Sequence, residues 1–196
     1  MAIRPALQAL LVVVSLAAAP GSRAAILTFE AALSGGAEAP AVASPGTGSA
    51  TVEIDTVLHT LRLQMTFANL LGPTTASHIH CCALPGTSAG VATQLPSFVG
   101  FPLGVMSGSF QSVFDMSLAS SWNPAFITAQ GGTPLSAFDV LVANMQTGRT
   151  YVNIHTALFG AGEIRGNLIK VPEPHGLALL ALAACGFVFA RRRSRE

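Results

Sequence analysis

The sequence predicts a mainly β protein, an antiparallel β-sandwich or Greek-key barrel with one inserted helix at about residues 134–147. Between two apolar ends, about seven short segments alternate apolar and polar residues, which is typical of half-buried strands. Glycines and prolines separate these segments, and the strands do not alternate with helices as they do in a parallel α/β fold.

Each predicted element has its own signal. Strands are predicted over residues 27–33, 49–55, 60–67, 77–82, 105–116, 150–156 and 162–169. The last two form a hairpin, because a short Gly-containing link at 157–161 joins them. The helix has Thr133 as its N-cap, Pro134 at its first position and Gly148 just past its end.

The chain divides into a signal peptide, one β domain and a C-terminal sorting or anchor segment, at residues 1–24, 25–170 and 171–196. In the first region Arg4 precedes an apolar run, and Ser22 and Ala24 are the small residues expected before a cleavage site. The alternative, an N-terminal membrane anchor, is disfavoured because the apolar run is short for a span. We therefore expect signal peptidase to remove this region and the domain to work outside the cytoplasm, where thiols can oxidise.

Charge and composition exclude several functions for the domain. Between Ile26 and Val171, four basic and seven acidic residues leave a net charge of −3, without a basic stripe. We therefore expect no nucleic-acid partner. The sequence contains no recognisable nucleophile–base set, paired carboxylates or phosphate-binding loop, so we also expect no enzyme activity.

The segment Ser77-His78-Ile79-His80-Cys81-Cys82 concentrates the residues that carry chemistry. On a strand, alternation places His78 and His80 on the face opposite Ile79. The same pattern predicts core-facing side chains at Ile79, Val152, Ile154, Ile164 and Leu168. It predicts solvent-facing side chains at His78, His80, Asn153, His155, Glu163, Arg165 and Asn167.

The histidines suggest a metal site. Two histidines two residues apart on a strand place both imidazoles on one side, within reach of one ion, and His155 on a neighbouring strand would complete a set suited to copper or zinc. Glu163 is a candidate fourth ligand or an acceptor that orients an imidazole, with Asn153 and Arg165 as supporting residues around the ligands. Copper–zinc superoxide dismutase has a similar pair of histidines on its barrel exterior, so redox activity is a further possibility by analogy.

The alternative is that these side chains form a polar network between strands, with Glu163 and Arg165 as a solvated ion pair. The metal hypothesis requires that the strands bearing His80 and His155 be neighbours, which the sequence alone does not establish.

Cys81 and Cys82 have no other cysteine partner in the predicted domain, because the third cysteine, Cys185, belongs to the C-terminal segment. Three interpretations remain open: a disulfide between these two adjacent residues, a cross-link to another molecule, and metal ligation by Cys82 beside the histidines.

The C-terminal segment resembles a PEP-CTERM sorting signal. It contains Pro172-Glu173-Pro174, then an apolar stretch at 176–190, then Arg191, Arg192 and Arg193. His175 departs from the small polar residue usual after the motif. The resemblance implies transient anchoring in the inner membrane by this helix, recognition by an exosortase, and delivery to the cell surface or the extracellular matrix. A plain C-terminal anchor is the alternative.

The domain resembles the CHRD family, named for repeats in chordin, over roughly residues 27–169. The motifs that carry the resemblance are Ser77–His80, Tyr151–Thr156 and Gly162–Gly166. Relatives usually have Phe-Pro-Gly-Gly-Glu where this chain has Phe-Gly-Ala-Gly-Glu at 159–163. The resemblance implies a secreted β-sandwich-like module. The sorting signal, the small single domain and the lack of a catalytic set favour a non-enzymatic binding or structural role, with extracellular polysaccharide or a matrix protein as the candidate partner.

Overall fold

The structure is a computed structural model that describes residues 26–172. The predicted signal peptide lies outside the described residues, as does the C-terminal segment from Glu173 onward, including Pro174 and the three arginines at 191–193. Among the described helices, none has both the length and the apolar character needed to cross a membrane.

Nine strands and two α-helices make up the described chain. In order they are β1 (Ile26–Ser34), β2 (Thr47–Asp55), β3 (Thr60–Ala68), β4 (Thr74–Cys81), β5 (Gly90–Val91), β6 (Gly108–Asp115), α1 (Pro124–Ala129), α2 (Pro134–Gln146), β7 (Thr150–Thr156), β8 (Ile164–Asn167) and β9 (Ile169–Lys170). Two 3-10 turns, Gly35–Ala37 and Ala119–Ser121, lie in the connections.

The strands form one antiparallel sheet in the order β5-β4-β7-β8-β1-β2-β3-β6, and β9 also pairs with β1. The predicted class, mainly antiparallel β with an inserted helix, is confirmed, and its form is a single curled sheet that resembles half a barrel. β1, β2, β3 and β6 pair in register along almost their whole length. The second group, β4, β7 and β8, joins the first through β8 and β1.

The concave side of this arrangement is filled by apolar side chains, with Phe29, Leu63 and Ile154 fully buried. Residues of α2 complete this core, including Phe138 and Leu141. The predicted core-facing residues are all fully buried: Ile79, Val152, Ile154, Ile164 and Leu168. Alternation along the strands therefore identified the apolar face correctly.

The helix α2 begins as predicted. The Thr133 hydroxyl accepts a hydrogen bond from the Ser136 backbone N–H, the Ser136 hydroxyl accepts one from the Thr133 N–H, and Pro134 follows the cap. The predicted strand at 162–169 is divided in two, because Leu168 turns into the core and its N–H donates to Thr150 O. The short β5 was not predicted, since it is too short to show a period. The short α1 lies in the stretch 117–132, for which the sequence allows either a loop or a short helical turn.

Candidate metal site

The strands β4 and β7 are neighbours, which brings the predicted histidines together. His78 lies opposite Asn153, His80 opposite Tyr151, and Ala76 opposite His155. On the other side of β7, Asn153 lies opposite Arg165 of β8. Because side chains two apart on a strand share a face, Tyr151, Asn153 and His155 point to the same side as His78 and His80.

The prediction that these side chains face solvent is wrong. His78, His80, Asn153 and Arg165 are between 1% and 6% exposed, and His155 is half-buried. The chain between β4 and β6 covers them and contributes the carbonyl groups of Thr87, Ala89 and Pro96, which contact side chains of this face. The loop after β1 contributes the carbonyl of Ala37. Alternation reports which face a side chain takes, but it does not show whether a distant loop covers that face.

The three histidines converge. One ring nitrogen from each of His78, His80 and His155 lies within 4.8 Å of the other two. His78 Nδ1 lies 3.2 Å from His155 Nε2. Within the described part of the chain, these residues make the one group of three or more histidine, cysteine or acidic residues with a geometry that could hold a metal ion.

Backbone carbonyl groups fix the tautomer of each imidazole. His78 Nε2 lies 2.8 Å from Pro96 O, His80 Nδ1 lies 2.9 Å from Ala89 O, and His155 Nδ1 lies 3.0 Å from Gly160 O. A carbonyl oxygen only accepts, so each of these nitrogens carries the proton and donates. In the neutral rings, the remaining nitrogens are His78 Nδ1, His80 Nε2 and His155 Nε2, and each of them presents a lone pair.

Burial keeps these rings neutral. It lowers the pKa of His78 to about 4, although the hydrogen bond to the Pro96 carbonyl favours the charged ring. Burial also lowers the pKa of His80 and of His155, again opposed by their carbonyl partners. At neutral pH the three lone pairs are therefore free of protons, the state that metal ligation requires.

Glu163 lies apart from the histidine group. Its carboxylate accepts hydrogen bonds from the Ser44 and Thr156 hydroxyls and from the Leu71 and Gly72 backbone N–H groups, at 2.6–3.2 Å. Burial raises the pKa of this carboxyl, but these hydrogen bonds outweigh it and the net shift is downward. Glu163 therefore ties two loops to the sheet. The structure places it neither as a ligand nor as an acceptor for an imidazole, and it is not ion-paired with Arg165.

A buried carboxylate that the sequence did not single out takes the place beside Arg165. Glu38 Oε2 lies 3.9 Å from Arg165 Nε, and both side chains are buried. Burial raises the pKa of Glu38 to about 7, against the opposing effect of the Arg165 charge. Glu38 comes from a loop of Gly, Ala and Pro, and the signal available was a lone acidic residue in an otherwise apolar segment.

Aromatic stacking links this ion pair to the histidines. The Arg165 guanidinium lies 4.6 Å from the centre of the Tyr151 ring. The Tyr151 ring stacks on His80 with a centroid distance of 4.7 Å and an angle of 5° between planes. Tyr151 was missed as a site residue, although its position two residues before Asn153 places it on the same face.

Cys81 and Cys82 are joined by a disulfide at the end of β4. Cys81 belongs to the apolar core, and Cys82 packs partly against it. The three alternatives considered from the sequence included this bond, and in the structure neither sulfur belongs to the histidine group.

Comparison with known proteins gives one family. The CHRD domain family matches residues 29–168, which is most of the chain. Neither the curated proteins nor the solved structures contain a significant match. The matched region begins in β1 and ends just before β9, so it holds the sheet and all three histidines. The chain therefore belongs to the CHRD domain family.

Proposed function

We propose that this CHRD domain is a non-enzymatic binding module that holds one copper or zinc ion on His78, His80 and His155. The observation that carries the proposal is the direction of the three lone pairs. Because each ring already donates its proton to a backbone carbonyl, the nitrogens that face one another are all acceptors. Acceptors cannot satisfy one another, whereas a cation satisfies all three.

The distances between the ring nitrogens also support binding of copper or zinc. Zinc–nitrogen bonds are about 2.0–2.1 Å, so two nitrogens of one tetrahedral zinc lie roughly 3.4 Å apart. His78 Nδ1 and His155 Nε2 are separated by 3.2 Å. The third nitrogen, from His80, lies within 4.8 Å of both. Three imidazoles are a ligand set that suits both copper and zinc.

A purely structural hydrogen-bond network is the competing explanation. It accounts for the outer nitrogens, each of which has its carbonyl partner. It does not account for His80 Nε2, which is buried and has no hydrogen-bond partner among the residues that the structure describes. Leaving such a group unpaired costs about 1–3 kcal/mol.

Metal analysis of the purified full chain tests the proposal. After incubation with copper or zinc and removal of excess ion, we expect one ion per chain by elemental analysis. His80→Ala and His155→Ala should each lower the affinity more than about 100-fold, because two nitrogens cannot replace three ligands. A chain that retains neither ion would exclude the metal site.

A matched control is available in His59. This histidine lies in the turn between β2 and β3 and packs against Phe138, outside the histidine group. His59→Asn also suits its positive φ of 52°, which asparagine tolerates. This variant should bind the ion as the unmodified chain does. An equal loss in His59→Asn and His80→Ala would show non-specific binding by surface histidines.

A second proposal concerns location, and the sequence at the two ends supports it. We propose that the chain is exported, held briefly in the inner membrane by residues 176–190, and sorted by an exosortase to the cell surface or matrix. In the sequence, Pro172-Glu173-Pro174 begins two residues after the end of the last strand, and a short apolar segment and three arginines follow it, as in PEP-CTERM signals. At the surface, polysaccharide or a matrix protein is the proposed partner.

Deletion of Pro172–Pro174 tests the sorting proposal. We expect the deleted chain to remain uncleaved and to stay with the membrane fraction, because the exosortase would lack its recognition motif. The measurement is the mass and the surface abundance of the chain in cells that contain an exosortase. Unchanged processing and surface delivery would contradict the proposal.

A further inference from the structure

Asn153 occupies the centre of the buried polar face. It lies on β7 between Tyr151 and His155, directly opposite His78 on β4 and Arg165 on β8. Its side chain is 1% exposed. An asparagine in this position has an oxygen and an NH₂ group that both need partners, since the site is closed to bulk solvent.

The amide oxygen of Asn153 lacks a partner. Asn153 Oδ1 makes no hydrogen bond within the described residues, and it would accept one from the His80 ring only if that ring were protonated. Two further acceptors of the same face, His80 Nε2 and Glu38 Oε1, are also unpartnered. The NH₂ nitrogen of Asn153 and Glu38 Oε1 each lie 2.6 Å from the place where a Cβ on Gly162 would stand, so these two atoms are at most 5.2 Å apart. One donor of this face, Arg165 Nη2, is also without a partner, so the unpartnered acceptor atoms outnumber the unpartnered donor atoms.

A water molecule on a metal ion supplies what these acceptors need. Three histidine ligands leave one coordination position open, and in proteins this position is commonly taken by water. Coordination to a cation makes the protons of such a water stronger donors. A neutral water can donate from the ion to Asn153 Oδ1, whereas an anion without protons would leave that oxygen unpaired.

We propose that the metal site keeps an open fourth position, that Asn153 Oδ1 accepts a hydrogen bond from the ligand bound there, and that the site consequently favours neutral proton-donating ligands such as water over anions. The inference rests on the proposed metal site. Asn153 acts through the exogenous ligand and is a positioning residue. The sequence suggests Glu163 as a fourth ligand, whereas the inference leaves the fourth coordination position to an exogenous ligand that donates to Asn153.

Azide binding to the copper-loaded full chain tests the inference. Azide is a small anion that carries no proton, and its binding to Cu(II) is followed by the charge-transfer absorption. In Asn153→Leu the amide oxygen is gone, so azide no longer leaves an acceptor unpaired. We expect azide to bind this variant on the order of tenfold more tightly. In Asn153→Asp the added negative charge should weaken azide binding relative to the unmodified chain.

Copper binding and azide binding, measured on the same variants, distinguish the possible outcomes. Copper stoichiometry and affinity are determined first, and we expect Asn153→Leu to retain one copper ion per chain because the histidines are intact. A loss of copper binding in that variant would instead make Asn153 a direct ligand and would overturn the inference. If the unmodified chain binds no copper, the proposed function itself fails. If copper binds but azide affinity is unchanged in both variants, only the inference fails.

Asn167→Leu is the matched control. Asn167 lies on β8, opposite Tyr151, and its NH₂ group donates to the carbonyls of Gly148 and Thr150. This substitution also removes a partly buried amide and its hydrogen bonds, but at a distance from the histidines. It should leave azide affinity unchanged. An increase equal to that of Asn153→Leu would mean that general loosening of the sheet controls azide access. Should Asn153→Leu fail to fold, Asn153→Ala, which also removes the amide oxygen, tests the same expected rise in azide affinity.

Discussion

The convex face of the sheet differs between its two ends. At one end a row of paired side chains crosses β1, β2, β3 and β6, formed by Glu30, Thr51, Gln64 and Gln111, and all of them are exposed or half-buried. At the other end an equivalent row crosses β8, β7 and β4, formed by Arg165, Asn153 and His78, and all are at most 5% exposed. The side chains are polar in both rows, but only the second is covered by loops.

The comparison shows that the polarity of its side chains does not by itself identify a row that faces solvent. In the exposed row, water satisfies each polar group, and a substitution has little to disturb. In the buried row, each polar group depends on a specific partner, and an unsatisfied group has a free-energy cost. Polar residues that are buried at such a cost are the ones to examine for function.

The largest loss of stability is expected at the β8 end of the covered row. Arg165 is the largest of the fully buried side chains, and it contacts Glu38, Tyr151 and the carbonyl of Ala37. Arg165→Ala removes the partner of a buried carboxylate and leaves a cavity, so we expect it to lower the free energy of unfolding by about 3–5 kcal/mol. The measurement is chemical denaturation of the metal-free full chain.

Gln111→Ala is the corresponding change in the exposed row. Gln111 lies on the edge strand β6 with its side chain in solvent, so the expected change is within about 0.5 kcal/mol. Equal effects of Arg165→Ala and Gln111→Ala would contradict the distinction between the two ends of the sheet.

An intermediate loss of stability is expected when Glu163 is substituted. Its four hydrogen bonds hold residues Ser44, Leu71 and Gly72 against Thr156. Glu163→Gln keeps the shape but turns an NH₂ group toward a donor and removes the charge, so we expect a loss of roughly 2 kcal/mol in the free energy of unfolding. Thermal and chemical denaturation both measure it, and copper binding should persist.

The control for this carboxylate is Glu53, whose ion pair with Arg62 is 3.8 Å long and well exposed. Glu53→Gln should cost less than about 0.5 kcal/mol. If Glu163→Gln abolished copper binding in a chain that remains folded, Glu163 would belong to the metal site after all.

The covered row should also show a pH dependence of its stability without metal. The pKa of His78 is lowered from 6.5 to about 4, mainly by burial, and those of His80 and His155 are also lowered. Between pH 6.5 and 4 the unfolded chain therefore binds protons that the folded chain does not bind. The free energy of unfolding should fall as the pH falls through this range.

Glu38 changes the stability in the opposite direction over this pH range, so the contribution of the histidines is measured best in a variant without this carboxylate. Its pKa is raised from 4.5 to about 7, mainly by burial, so between these values the folded chain holds a proton that the unfolded chain has lost. Its contribution to stability is present below pH 4.5 and is lost as the pH rises to 7. In Glu38→Gln, denaturation at several pH values should show a steeper fall from pH 6.5 to 4. An unchanged slope would contradict the shifts.

Much of the fold could be predicted because it depends on local patterns. Alternation identified Ile79, Val152 and Ile154 as core residues, and Thr133-Pro134 marked the start of α2. The pairing of β4 with β7 follows no local rule, since many residues lie between them. The sequence could therefore propose His78, His80 and His155 as a group but could not show that they meet. Glu38 was missed because its burial depends on Arg165, which is far away in sequence.

The separation between the histidines has a consequence for folding. His78 and His155 are 77 positions apart in sequence. An ion bound to both would act as a cross-link that closes a loop of this length in the chain, and it would favour the folded state by mass action as ion concentration exceeds the dissociation constant. Metal supply would then set how long the domain survives heat and proteases, even if the ion performs no chemistry.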